Sequence, residues 1–264
     1  MPPKEQNVTE WTRVHLSPDH IYSAFHFANL AHETEHTADP RQNKFAIQQH
    51  RSFVVGSVLA SVAFLEAAIN ELFATAQDHN IGKEVAQKLR THWSMEYFRR
   101  HARLLEKYQT ALDLAGLKPF DEGRNPYQNA KLLNDLRNAL VHFVPATVPT
   151  RAAHGARIPL PDDLSQRLNR RFPENPWAGS TRLIFDGEDL GSDTPPLFPS
   201  RCLGSGCAGW AARTALNFAD EFFSRLGLRS HHEYLRQELV FTNRHKGKPK
   251  PIPSNTIEIR NTEE

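Results

Sequence analysis

The stretch SFVVGSVLASVAFLEAAINELF, residues 52–73, constrains this chain more than any other. Read as a helix it is apolar nearly all round, so it cannot keep one face in water and has to be covered on every side. Small residues at 56, 57, 60, 61, 63, 67 and 68 let neighbouring helices approach it closely. Its longest apolar run, residues 53–69, is interrupted by Gly56, Ser57, Ser61 and Glu66. By that reading it is too short and too polar to span a membrane, and it predicts the central helix of a bundle. With 264 residues there is enough chain to surround it with a real core.

The rest of the chain supplies candidate partners. Ser17-Pro18-Asp19 predicts a helix start with Ser17 as N-cap and Pro18 at the first helical position. That helix should stop before Asp39-Pro40, and the central helix should follow and run to about His79. Residues 83–114 predict one or two helices rich in Arg and Lys, and residues 127–143 a short helix ended by Pro145. Residues 145–205 change character: half of the 18 prolines fall there, and only PDDLSQRLNRRF reads as helical. A last amphipathic helix covers residues 207–226. The expected organisation is an irregular segment 1–16, an all-α bundle of about five helices over 17–228 with a long Pro-rich insertion at 145–205, and a largely disordered segment 229–264.

Composition narrows the function classes. A net charge of +2 provides no global basic field, so a nucleic-acid partner would need a local patch. Two cysteines, Cys202 and Cys207, are too few for a disulfide framework and fit a reducing compartment. The N-terminal residues have no apolar core of the signal-peptide type, so the expectation is a soluble, cytoplasmic protein without a membrane partner.

Two motifs compete for the site. HETEH, residues 32–36, has the H-E-x-x-H spacing that puts two imidazoles on one helical face beside a carboxylate, with Glu71 as a conceivable third ligand. Its surroundings oppose a zinc peptidase. Only an irregular segment and half a helix precede it, Pro40 follows closely, and Glu71 is 35 residues beyond His36. His32 and His36 are read instead as a solvated helix C-terminus, where the dipole suits them, with Glu33 and Glu35 facing water. Metal ligation by His32, His36 and Glu71 stays as the third reading.

The other motif is LNDLRNALVHF, residues 133–143, in which Arg137 and His142 are separated by four residues and Asn138 follows the arginine. The spacing is common. Arg13 to His20 shares it but contains Pro18, and Arg225 to His231 or His232 crosses Gly227. Only Arg137 to His142 lies within one predicted helix. Together with the long core helix and the order of the helices around it, this pattern resembles the R-x4-6-H motif of the HEPN superfamily, helical-bundle ribonucleases and RNA-binding proteins of defence and toxin systems. The resemblance covers roughly residues 18–143 and 205–228. Val144 stands where many toxin members have tyrosine, so nothing that depends on that tyrosine carries over.

The resemblance implies a homodimer whose motif helices meet in one groove, and metal-independent cleavage of RNA that leaves a 2′,3′-cyclic phosphate and needs no cofactor. It leaves open an antitoxin or defence partner, and a non-catalytic RNA- or protein-binding module as the alternative. The chemistry suits the residue types. His142 can exchange protons near neutral pH, and Arg137 is a permanent fork for phosphate oxygens. Asn138 can orient either the arginine or the phosphate. Glu66 and Asn70 lie one turn apart on the apolar central helix, and Arg137 is the partner expected for Glu66. Arg99, Arg100 and Arg103 are candidates for tracking an RNA backbone.

Overall fold

The computed structural model describes residues 13–39, 44–144, 163–172 and 202–241. Among these residues the protein is all-helical: eight α-helices, two single 3₁₀ turns and no strand. The helices are α1 Ser17–Thr37, α2 Lys44–Ala74, α3 Lys83–Ser94, α4 Glu96–His101, α5 Leu104–Leu114, α6 Tyr127–Val141, α7 Asp163–Arg171 and α8 Ser205–Arg225. The basic stretch expected as one or two helices is therefore three short ones.

α2 is the axis of the bundle, 31 residues and about 46 Å long. α1 returns antiparallel along it and α8 lies against both, so these three make the main core. At their junction Ser57 is fully buried, and its hydroxyl lies 2.8 Å from the Ala24 carbonyl of α1 and 3.1 Å from the Ala208 carbonyl of α8. One residue earlier, a Cβ at Gly56 would stand 3.1 Å from the Phe27 ring. The small residues of α2 are where its neighbours come closest.

The C-terminal half of α2 is covered by α3, α5 and α6. Phe73 meets Trp93 and Phe98, and the buried Tyr108 is wedged against Phe218 and Phe222. The Tyr108 hydroxyl donates to the Leu65 carbonyl at 2.8 Å, which satisfies the one polar atom of a ring with no solvent contact. α6 buries Ala130, Leu133 and Leu136. α7, the helical piece of the Pro-rich insertion, is docked: Leu168 is buried, Phe172 packs on Trp210, and Arg167 pairs with Asp135 of α6 at 3.2 Å. The other residues of that insertion, and the tail from 242 on, lie outside the described residues.

Two further expectations need correction. Phe45–Ala74 is long and apolar enough to cross a membrane by length and composition, contrary to the reading of its inner run as too short. What marks it as a core helix is that five other helices pack on it. Ser17 is not an N-cap but the first helical residue, with Leu16 at the cap position. The orphan donors of this terminus are met from outside. Glu71 of α2 accepts from the Leu16 and Ser17 backbone N–H groups at 2.8 and 2.9 Å, and from the Ser17 hydroxyl at 2.6 Å. α8 is treated likewise: Glu35 of α1 accepts both the backbone N–H, at 2.6 Å, and the hydroxyl of Ser205. Each of these helix starts is held by a carboxylate from another helix.

Candidate functional site

α6 brings its polar residues to the edge of α2. The Arg137 guanidinium donates from Nη1 to Asn138 Oδ1 at 2.9 Å and reaches Glu66 Oε2 with Nη2 at 3.4 Å. Both side chains remain accessible, Arg137 at 28% and Glu66 at 47%. Asn138 thus steers the arginine next to it in sequence, and Glu66 fixes it from the neighbouring helix.

A further cation, missed in the sequence, joins this cluster. Lys107 of α5 is almost completely buried, and its Nζ donates to Asn70 Oδ1 at 2.9 Å and to the Arg99 carbonyl at 3.3 Å, near the Trp93 ring. Burial pushes its ammonium below the usual lysine range, while the negative charge of Glu66 works in the other direction. Asn70 therefore serves Lys107, and Glu66 feels two cations. The available signal was a lysine at a core-facing step of the α5 apolar pattern, LLEKYQTAL. The cluster combines one carboxylate, two amides and two cations, so it carries one net positive charge with forked donors at the surface. That suits holding a phosphate oxygen.

His142 is the C-cap of α6, its backbone N–H bonded to the Asn138 carbonyl at 2.9 Å. Its imidazole is exposed, within a run that also exposes Val141, Phe143 and Val144. α6 therefore ends at Val141, short of the expected 143. Five positions on a helix place Arg137 and His142 about 7.5 Å apart along the axis and about 140° apart around it. Arg99, Arg100 and Arg103 are all exposed. Arg100 pairs with Glu96, and Arg103 lines a cleft of about 430 Å³ between α5 and α6, together with Lys131 and Asn134.

The residues proposed for zinc do not come together. The His32 and His36 rings lie 4.1 Å apart between centroids and are tilted by 50°, and His36 Nδ1 lies 2.7 Å from the His32 carbonyl. Glu71 stands at the opposite end of α1, against Ser17, fifteen residues and about 22 Å of helix from His32. Glu33 is exposed as expected, but Glu35 is not. Its side chain is only 7% accessible and bonds His50 Nε2 at 2.6 Å as well as Ser205. One glutamate of HETEH is thus a buried structural anchor. Ser230, His232 and Asp220 also cluster, but serine and carboxylate meet the same imidazole nitrogen, Nε2, at 3.1 and 3.0 Å. That excludes the relay of a hydrolytic triad, which uses both ring nitrogens.

No family model, curated protein or solved structure matches this chain.

Proposed function

We propose that this chain is a HEPN-type helical protein that cleaves RNA without a catalytic metal, through Arg137, His142 and Asn138. The observation that supports this best is the Arg137–Asn138–Glu66 cluster on α2 and α6, followed one turn later by an exposed histidine. Arg137 stabilises the charge that builds on phosphate as the ribose 2′-OH attacks, Lys107 adds positive potential behind it, and His142 exchanges the proton. The 140° offset argues for a second copy: two α6 ends meeting through Val141, Phe143 and Val144 would gather two Arg–His sets into one groove and cover apolar surface. RNA incubated with the protein in the presence of a chelator should be cut to 2′,3′-cyclic phosphate ends. Arg137→Ala and His142→Ala should each lower the rate by 10²-fold or more. Cleavage unchanged in His142→Ala refutes the assignment.

One observation favours a second reading, a non-catalytic module that binds RNA or protein through the same surface. Glu66 answers the charge of Arg137, and among the described residues none makes a hydrogen bond that orients the His142 ring. RNA binding without cleavage, weakened by Arg137→Ala but not by His142→Ala, would select it.

A further inference from the structure

Around the C-terminal end of α2, four polar side chains converge from distant parts of the chain. Glu71 Oε2 lies 3.4 Å from His15 Nδ1 and 3.3 Å from His231 Nδ1. The His15 and His231 rings stand 4.0 Å apart, and His79 stacks on His231 at 5.4 Å. The His231 Nδ1 contact is within hydrogen-bond geometry, and three further features suit the cluster to a metal ion. His15 Nδ1 is buried and forms no hydrogen bond, so it faces the carboxylate oxygen off the line of a bond. The two oxygen–nitrogen separations match the edge of a tetrahedron, about 3.3 Å when ligand atoms lie about 2.0–2.1 Å from the centre. The carboxylate is already oriented: Oε1 accepts two backbone N–H groups of the α1 start and Oε2 the Ser17 hydroxyl. That is the kind of outer support that fixes a ligating carboxylate.

We infer that His15, Glu71 and His231 form a site for one divalent transition-metal ion of the zinc class. Two imidazoles and one carboxylate favour such an ion over calcium or magnesium, which take all-oxygen sets. Three protein ligands leave the fourth position of such an ion to a water molecule. The role is structural. The ion ties the segment before α1 and the segment after α8 to α2, and so joins elements 160 residues apart in sequence. The site is distinct from the Arg137 cluster, because Glu66 and Glu71 point about 140° apart around α2.

The test uses tag-free, full-length protein stripped by a chelator, dialysed and titrated with ZnCl₂. The expected result is one zinc per chain by mass spectrometry and a melting temperature raised by about 5–10 °C at a hundredfold excess over Kd. Co²⁺ should give the intense visible bands of a tetrahedral centre. His15→Ala and His231→Ala should abolish the shift and the stoichiometric zinc, whereas His32→Ala/His36→Ala and Arg137→Ala should retain both. Retention in Arg137→Ala lets this inference and the ribonuclease reading fail separately. If His231→Ala does not fold, His15→Ala decides, since it alters only the segment ahead of α1. No zinc on the wild type, unchanged zinc in His15→Ala, or zinc lost in His32→Ala/His36→Ala would each overturn the inference.

Discussion

Replacing Glu35 with alanine tests whether the cross-helix carboxylate caps hold this bundle together. The change removes a nearly buried carboxylate that accepts from the Ser205 N–H at 2.6 Å, from the Ser205 hydroxyl and from His50 at 2.6 Å. Ser205 is 5% and His50 2% accessible, so water cannot readily take its place. A hydrogen bond to a charged group contributes about 1.5–3 kcal/mol net, and removing one partner of a buried charged set costs about 3–5 kcal/mol. In a chain of this size that corresponds to a melting temperature lower by about 6–20 °C. Glu35→Gln, which keeps one acceptor and the shape, should lose about 1–2 kcal/mol, and the exposed Glu33→Ala within about 0.5 kcal/mol.

The same carboxylate sets a pH dependence. Burial alone would raise it, but hydrogen bonds from His50 and Ser205 outweigh burial and hold it below the ordinary glutamate value of 4.5. A depressed carboxylate stabilises the fold above its unfolded value and loses that contribution as pH falls through its folded value. Urea denaturation from pH 7 down to pH 3 should therefore show the wild type losing its advantage over Glu35→Gln only below about pH 4.5. A Glu35→Ala loss under about 1 kcal/mol, or a gap between wild type and Glu35→Gln that does not change with pH, refutes the reasoning.

Gly209→Ala would place its Cβ 2.5–2.7 Å from the Phe241 ring, so it should destabilise by about 1–3 kcal/mol in thermal melts, with Phe241→Ala in the same chain relieving the clash. Lys107→Met removes a buried ammonium whose pKa burial has already lowered; it should leave the melting temperature unchanged or raise it, while weakening RNA binding in a filter or fluorescence assay. A melting temperature several degrees lower would mean that Lys107 is mainly a structural partner of Asn70.

The centre of the fold was legible because an all-round apolar helix rich in small residues leaves few alternatives to a bundle axis. Docking of the DLSQRLNRR helix was not. Its contacts depend on Trp210 and Asp135, which local periodicity does not connect to it. The pairing of Glu66 with Arg137 could be anticipated, because a carboxylate on an apolar helix needs a cation and the motif supplied one. Ser17 misled because capping rules look only a few residues ahead, whereas the group that caps α1 sits 54 positions away. Glu35 misled for the same reason, its partner being 170 positions distant. HETEH misled in the same way, since the spacing that suggested Glu71 as its third ligand says nothing of the helix length that separates them.

The two carboxylate caps also imply an order of assembly. Glu71 of α2 completes the first turn of α1, and Glu35 of α1 completes the first turn of α8. During synthesis α1 and α2 emerge long before Ser205 and can close as a hairpin across a short connection, which contacts close in sequence make fast. That hairpin already carries, at its far end, the anion that α8 needs to begin. The last helix therefore joins a prepared socket, and chains cut short before residue 205 should leave that socket, and the apolar groove beneath it, open to chaperones.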